Sequence, residues 1–166
     1  QIAPILIIGI GQGYVLITGN IDLSIGSVVG MSTMISATLM TRGVNPWVSM
    51  SITIVLCLLV GVLNGALVAK CKLPPFIATL GTMTVARGIA QIVNNNYNTD
   101  AIGEAAKGFR NLFYYGSIGG IYNTIWIALA IFLVFNFMLS RTRTGRYVYA
   151  AGSNIEAAKL SGVNTD

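Results

Sequence analysis

Apolar runs follow one another along this chain, each close to the length of a bilayer-crossing helix and separated by short polar stretches. Residues 2–17, 25–40, 48–69, 76–93 and 124–140 carry almost no charge. A helix needs ~20 apolar residues to cross the hydrocarbon of a membrane. Only 9% of residues are charged while 54% are hydrophobic, which leaves too little polar surface for a water-facing shell. Strands of a transmembrane barrel would alternate apolar and polar over segments of ~10 residues, and no such alternation is present. The fold expected is all-α, a polytopic transmembrane helical bundle with about five spans.

The net charge of +5 belongs to loops rather than to a nucleic-acid-binding face. Lys70, Lys72, Arg141, Arg143, Arg146 and Lys159 fall in two connecting segments, as the positive-inside rule expects of cytoplasmic loops. Residues 70–75 and 141–166 are therefore expected in the cytoplasm, and the charge-balanced, glycine-rich 94–123 outside. The aromatic residues of that outer segment suggest contact with the membrane interface. Cys57, in an apolar run, and Cys71, in a basic loop, suit free thiols better than a disulfide. With no histidine in the chain, histidine metal sites and Ser-His catalysis are excluded. No catalytic cluster, metal site or cofactor is expected. Gln1 opens directly in apolar sequence and Asp166 closes just after a basic loop, so the chain reads as an interior piece of a longer one.

Residues 18–24, TGNIDLS, interrupt the first two apolar runs. Gly19, Asn20 and Asp22 all disfavour continuous helix. Non-helical backbone at membrane depth is tolerated where protein buries it or water lines it, and a charge there points to function. A tight turn at the membrane surface would use the same residue types. Arg87 lies inside the run 76–93. It either snorkels to the headgroups or faces the bundle interior and pairs with a carboxylate. Asp22 is the one acidic residue in the apolar part of the chain, hence the candidate partner. Pro46 and Trp47 suit the first turn of an interfacial helix start. Gly26 with Gly30, and Gly61 with Gly65, have the four-residue spacing that lets helices approach closely.

Near the chain's end, Ser153 precedes Glu156 by the S-x-x-E spacing of a capping box, and Gly162 offers a left-handed stop. A short exposed helix from Asn154 to Ser161 is expected. An ordinary amphipathic connector would need no more than this.

Three stretches carry a family resemblance. Glu156-Ala157-Ala158, three residues and Gly162 resemble the EAA-x3-G loop of ABC importer permeases, whose short helix docks on the ATP-binding subunit. TGNIDLSIGS resembles the TGGIDLSVGS signature of sugar permeases, with Asn20 in place of the second glycine. LPPFIATLGTMTVARGIA resembles the same ribose, xylose and galactose type of permease. The resemblance implies one permease domain across 1–166, with a coupling helix in its cytoplasmic loop, 141–166. It implies Ser153, Glu156, Ala157, Ala158 and Gly162 as the ATPase-docking loop, and Asn20, Asp22, Ser24 and Arg87 along the translocation pathway. Its partners would be an ATP-binding subunit, an extracytoplasmic sugar-binding protein, a second permease subunit of the same or a different kind, and the lipid bilayer. The localisation implied is the bacterial plasma (inner) membrane. No G-x4-G-K-[ST] phosphate loop occurs, so the chain is read as a transport subunit and not an enzyme. A branched-chain amino-acid permease shares the docking loop and is the nearest alternative. A stand-alone carrier or channel would show inverted repeats or several intramembrane charges.

Overall fold

Five apolar helices account for most of the chain in the computed structural model, which describes residues 2–100 and 102–165. They are α1 (Ile2–Ile17), α2 (Ile25–Thr41), α3 (Pro46–Ala69), α4 (Pro75–Val93) and α6 (Asn123–Arg141). With 24, 19 and 19 residues, α3, α4 and α6 are long and apolar enough to cross a membrane. The remaining two, α1 and α2, have 16 and 17 residues. At 1.5 Å per residue they reach about 25 Å, short of a ~30 Å hydrocarbon core. They are the pair interrupted by residues 18–24. The chain is thus an all-α, polytopic membrane protein, with one small hairpin among the described residues, β1 (Ser117–Ile118) paired with β2 (Ile121–Tyr122).

Local chemistry sets the helix boundaries. The Asn45 side chain accepts from the Trp47 N–H at 2.9 Å, and Pro46 occupies the first helical position of α3, where its missing N–H costs nothing. Pro75 opens α4 in the same way. At the end of α1, Gly19 takes φ +76, Gly19 N–H bonds to the Leu16 carbonyl and Asn20 N–H to that of Val15. That is a Schellman stop, with glycine in the left-handed position. Asn20 stands just past it, with no need for positive φ, so asparagine is tolerated there without strain.

The chain divides into two compact units. In residues 22–116, α2 packs on both α3 and α4. The buried stripe of α3 is polar, with Ser49, Thr53 and Asn64, while Val55, Leu58, Leu59 and Val62 are exposed. That is the reverse of a helix in water and the pattern of one surrounded by lipid. Residues 104–115 run through a 3-10 turn, the short α5 (Lys107–Arg110) and a π turn. Phe109 and Phe113 there meet Trp47 edge-on, at centroid distances of 5.4 and 5.8 Å. Aromatic packing of this kind holds the segment in place.

The second unit comprises residues 1–21 and 117–166. Here α1 packs on α6, and the Tyr14 hydroxyl donates to the Phe135 carbonyl at 2.5 Å. After α6 come α7 (Arg143–Ser153) and α8 (Ile155–Leu160). The expected single short helix in residues 141–166 is therefore two. An eleven-residue amphipathic helix such as α7 has no long apolar run to announce it. The glycine pairs at four-residue spacing also differ from expectation. A Cβ at Gly26, Gly30, Gly61 or Gly65 would meet nothing within 4 Å, so none marks a close helix contact among the described residues.

Candidate functional site

Asp22 and Ser24 come together at the start of α2. Asp22 Oδ1 accepts from the Ser24 backbone N–H at 2.7 Å and from the Ser24 hydroxyl at 2.6 Å. Ser24 is 2% exposed, and its Oγ in turn accepts from Asn64 Nδ2 at 3.0 Å. A hydrogen-bonded line thus runs from Asn64 in α3 through Ser24 to the Asp22 carboxylate. Burial of Ser24 and Asn64 removes the competition of water from the bond between them. Asn64 Oδ1 is buried without a partner, leaving one acceptor in this line open. Asn20 lies in the other unit, where its Nδ2 donates to Thr18 Oγ1 at 2.9 Å.

Arg87 does not pair with Asp22. Among the described residues no ion pair joins them, and the carboxylate is engaged by Ser24. Arg87 instead lines a cleft of about 510 Å³ between α2 and α4, which it shares with Gly26, Gly30, Gln91, Tyr97 and Asn98. With Asn96 also in the lining, a guanidinium, three amides and a phenol over an apolar floor form a wall that could hold hydroxyl groups of a ligand.

The short helix expected between Asn154 and Ser161 is α8, Ile155–Leu160, and its start differs from the expected capping box. The cap is Asn154, whose Oδ1 accepts from the N–H groups of Glu156 and Ala157, both at 3.0 Å. Ser153 belongs to the last turn of α7, its hydroxyl donating to the Ala150 carbonyl. Glu156 does not reach back. Its carboxylate lies 3.6 Å from Lys159 Nζ on the exposed surface, a pair of small energetic weight. Asparagine and serine cap about equally well, and the one that stands in extended backbone takes the role. At the other end Gly162 has φ +79, its N–H bonds to the Lys159 carbonyl, and Val163 N–H bonds to that of Ala158. Ala158 is buried beneath the helix while Ala157, Ile155 and Leu160 face out, Leu160 at 91% exposure.

Asn64 is the residue that sequence reasoning passed over. Its signal was present: a lone amide inside the long apolar run 48–69. Polar groups at such depth are tied to something, which makes them worth following.

Across residues 1–166 the chain matches the family described as branched-chain amino acid transport system / permease component. It is 34% identical over 165 residues to the ribose import permease protein of Escherichia coli (strain K12), covering 96% of this chain and 50% of that protein. To the fructose import permease protein of Bifidobacterium longum (strain NCC 2705) it is 35% identical over 161 residues, covering 97% of this chain and 45% of the relative. The D-allose transport system permease protein of Escherichia coli (strain K12) is 34% identical over 165 residues, 99% of this chain and 49% of its own length. The chain thus spans about half the length of these curated relatives. No solved structure matches it.

Proposed function

Since the chain belongs to the family of branched-chain amino acid transport system permease components, we propose that it forms part of a membrane-spanning permease in an ATP-driven importer, and that its cargo is a monosaccharide. The observation that carries the cargo is the agreement of relatives. Ribose, fructose and allose permeases each align with almost the whole chain. That agreement favours sugar over a branched-chain amino acid, despite the family's description.

Energy would come from a separate ATP-binding subunit seated on α8. Capped by Asn154 and stopped by Gly162, this helix is closed at both ends by local bonds and leaves the apolar side chains of Ile155 and Leu160 exposed. Sugar would be delivered by an extracytoplasmic binding protein and pass beside a second permease subunit. The Asp22–Ser24–Asn64 line fixes the interruption between the short helices, and the Arg87 cleft offers hydroxyl-binding groups on the path. Residues 1–166 act as one permease domain in the bacterial inner membrane, with 70–75 and 141–166 in the cytoplasm on the lysine and arginine asymmetry.

The test is reconstitution of the full-length permease in liposomes with its ATP-binding subunit and candidate binding proteins. Ribose, fructose or allose with a sugar-binding protein should raise ATP turnover. Stimulation by a branched-chain amino acid and its binding protein instead would overturn the assignment. Orientation is checked through Cys71, which is exposed and unbonded. With Cys57 replaced, an impermeant thiol reagent should leave Cys71 unlabelled in intact cells and label it in inverted vesicles.

A further inference from the structure

Two contacts that only glycine permits hold α7 in place. Gly145 is buried, and a Cβ there would overlap the backbone carbonyl of Leu139 in α6. At Gly152 a Cβ would overlap the carbonyl of Ile17, the last residue of α1. Seven residues make almost two helical turns, so both glycines lie on one face of α7. Each contact is backbone against backbone. No side-chain rotamer lies between the surfaces to absorb a displacement, and close-packed contacts of this kind transmit strain.

The joint between α7 and α8 is equally spare. It is Asn154 alone, in extended backbone at φ −161 and ψ 106. Its N–H bonds to the Ala150 carbonyl at 3.1 Å, closing α7, while its side chain holds the N–H groups of Glu156 and Ala157 in the first turn of α8. One residue thus terminates one helix and starts the next, so α8 has little freedom to swing by itself. At the far end of the linkage, Ile17 leads directly into Thr18, Gly19 and Asn20.

We propose that Gly145 and Gly152 are positioning residues that make α7 a strut, carrying displacement of α8 to the C-terminal end of α1 and into the interruption that follows it. This rests on reading α8 as the ATPase-docking helix. Gly145 is the pivot against α6 and Gly152 the thrust point against α1. ATP-driven movement at α8 reaches residues 18–24 through this path, without passing through the side chains of the bundle.

The experiment uses the full-length permease in liposomes with its ATP-binding subunit and binding protein, taking ribose, fructose and allose in turn as probe. Two variants break the strut differently. Gly152→Ala pushes α7 off α1, and a two-glycine insertion after Ser153 leaves that seat intact while freeing α8. Both should still co-purify with the ATP-binding subunit. In both, uptake and the ratio of binding-protein-stimulated to basal ATP turnover should fall about fivefold or more, the low end of ordinary coupling between sites. A merely structural role would lower the thermal stability of the assembly and leave that ratio unchanged. Normal uptake by the insertion variant overturns the strut, whether or not Gly152→Ala folds. Ala157→Trp separates this from the underlying reading. If it leaves ATPase association intact, α8 is not the docking helix. If association is lost there while both strut variants transport normally, docking stands and the strut alone is wrong.

Discussion

The starts of α2 and α8 solve one problem with similar residues in opposite surroundings. At α2 the Asp22 carboxylate gathers the N–H and hydroxyl of Ser24, and Ser24 is buried and tied onward to Asn64, forty residues away in another helix. At α8 the Asn154 amide gathers two backbone N–H groups, and every bond it makes is local and exposed. A helix start locked into tertiary packing fixes where the chain breaks. One built from local bonds leaves its outer face free for a partner. The first kind is costly to disturb because buried polar groups lose partners together; the second loses one cap and frays.

Mutations can widen or erase that contrast. The largest effect should come from Asp22→Ala in the full-length permease. It removes the acceptor of two short bonds, and sugar uptake in liposomes should fall about tenfold or more, the equivalent of roughly 1.4 kcal/mol. Because Asp22 and Arg87 do not pair, exchanging the two residues should restore nothing; recovered uptake would show that they meet during transport. Next comes Ser24→Ala, which strands Asn64 Nδ2 in a buried place. Destabilisation of about 1–2 kcal/mol is expected, read as a lowered unfolding midpoint in detergent. Asn64→Leu sharpens the point, since it also removes the unpartnered Oδ1. Its stability should stay within about 1 kcal/mol of wild type. At α8, Asn154→Ala should weaken the helix by about 1 kcal/mol, seen as faster amide exchange at Glu156 and Ala157 without change in the membrane helices. Ser153→Ala should do least, within about 0.5 kcal/mol, because that hydroxyl caps nothing. A larger loss from Ser153→Ala than from Asn154→Ala would restore the capping box.

Much of this was legible in the residues, for identifiable reasons. Long apolar runs announce helices through a constraint the bilayer imposes on every span, so all five were located to within a residue or two. Gly162 was readable because a left-handed stop selects glycine on backbone sterics alone. Where two residues compete for one role, sequence falls short. Ser153 and Asn154 are both competent caps, and only the end of α7 decides between them. The tie from Asn64 to Ser24 spans forty positions and depends on helix packing that no local pattern encodes. Glycine spacing misled for the same reason. Gly26 and Gly30 have the motif without the contact, whereas Gly145 and Gly152 have the contact without the motif.

The inverted α3 has a consequence for how this protein is made. A segment leaving the ribosome is admitted to the membrane on its summed hydrophobicity, before its neighbours are there to pack against. Val55, Leu58, Leu59 and Val62 speak for admission, whereas Ser49, Thr53 and Asn64 speak against it. Those three are the positions that later face the other helices. Biogenesis and final packing therefore favour opposite residues along one stripe. Leucine at Ser49 would enter the bilayer more readily and then meet its neighbours in a fully buried place shaped for a hydroxymethyl group. The long apolar run around Asn64 carries the helix through the first selection so that its polar stripe can satisfy the second.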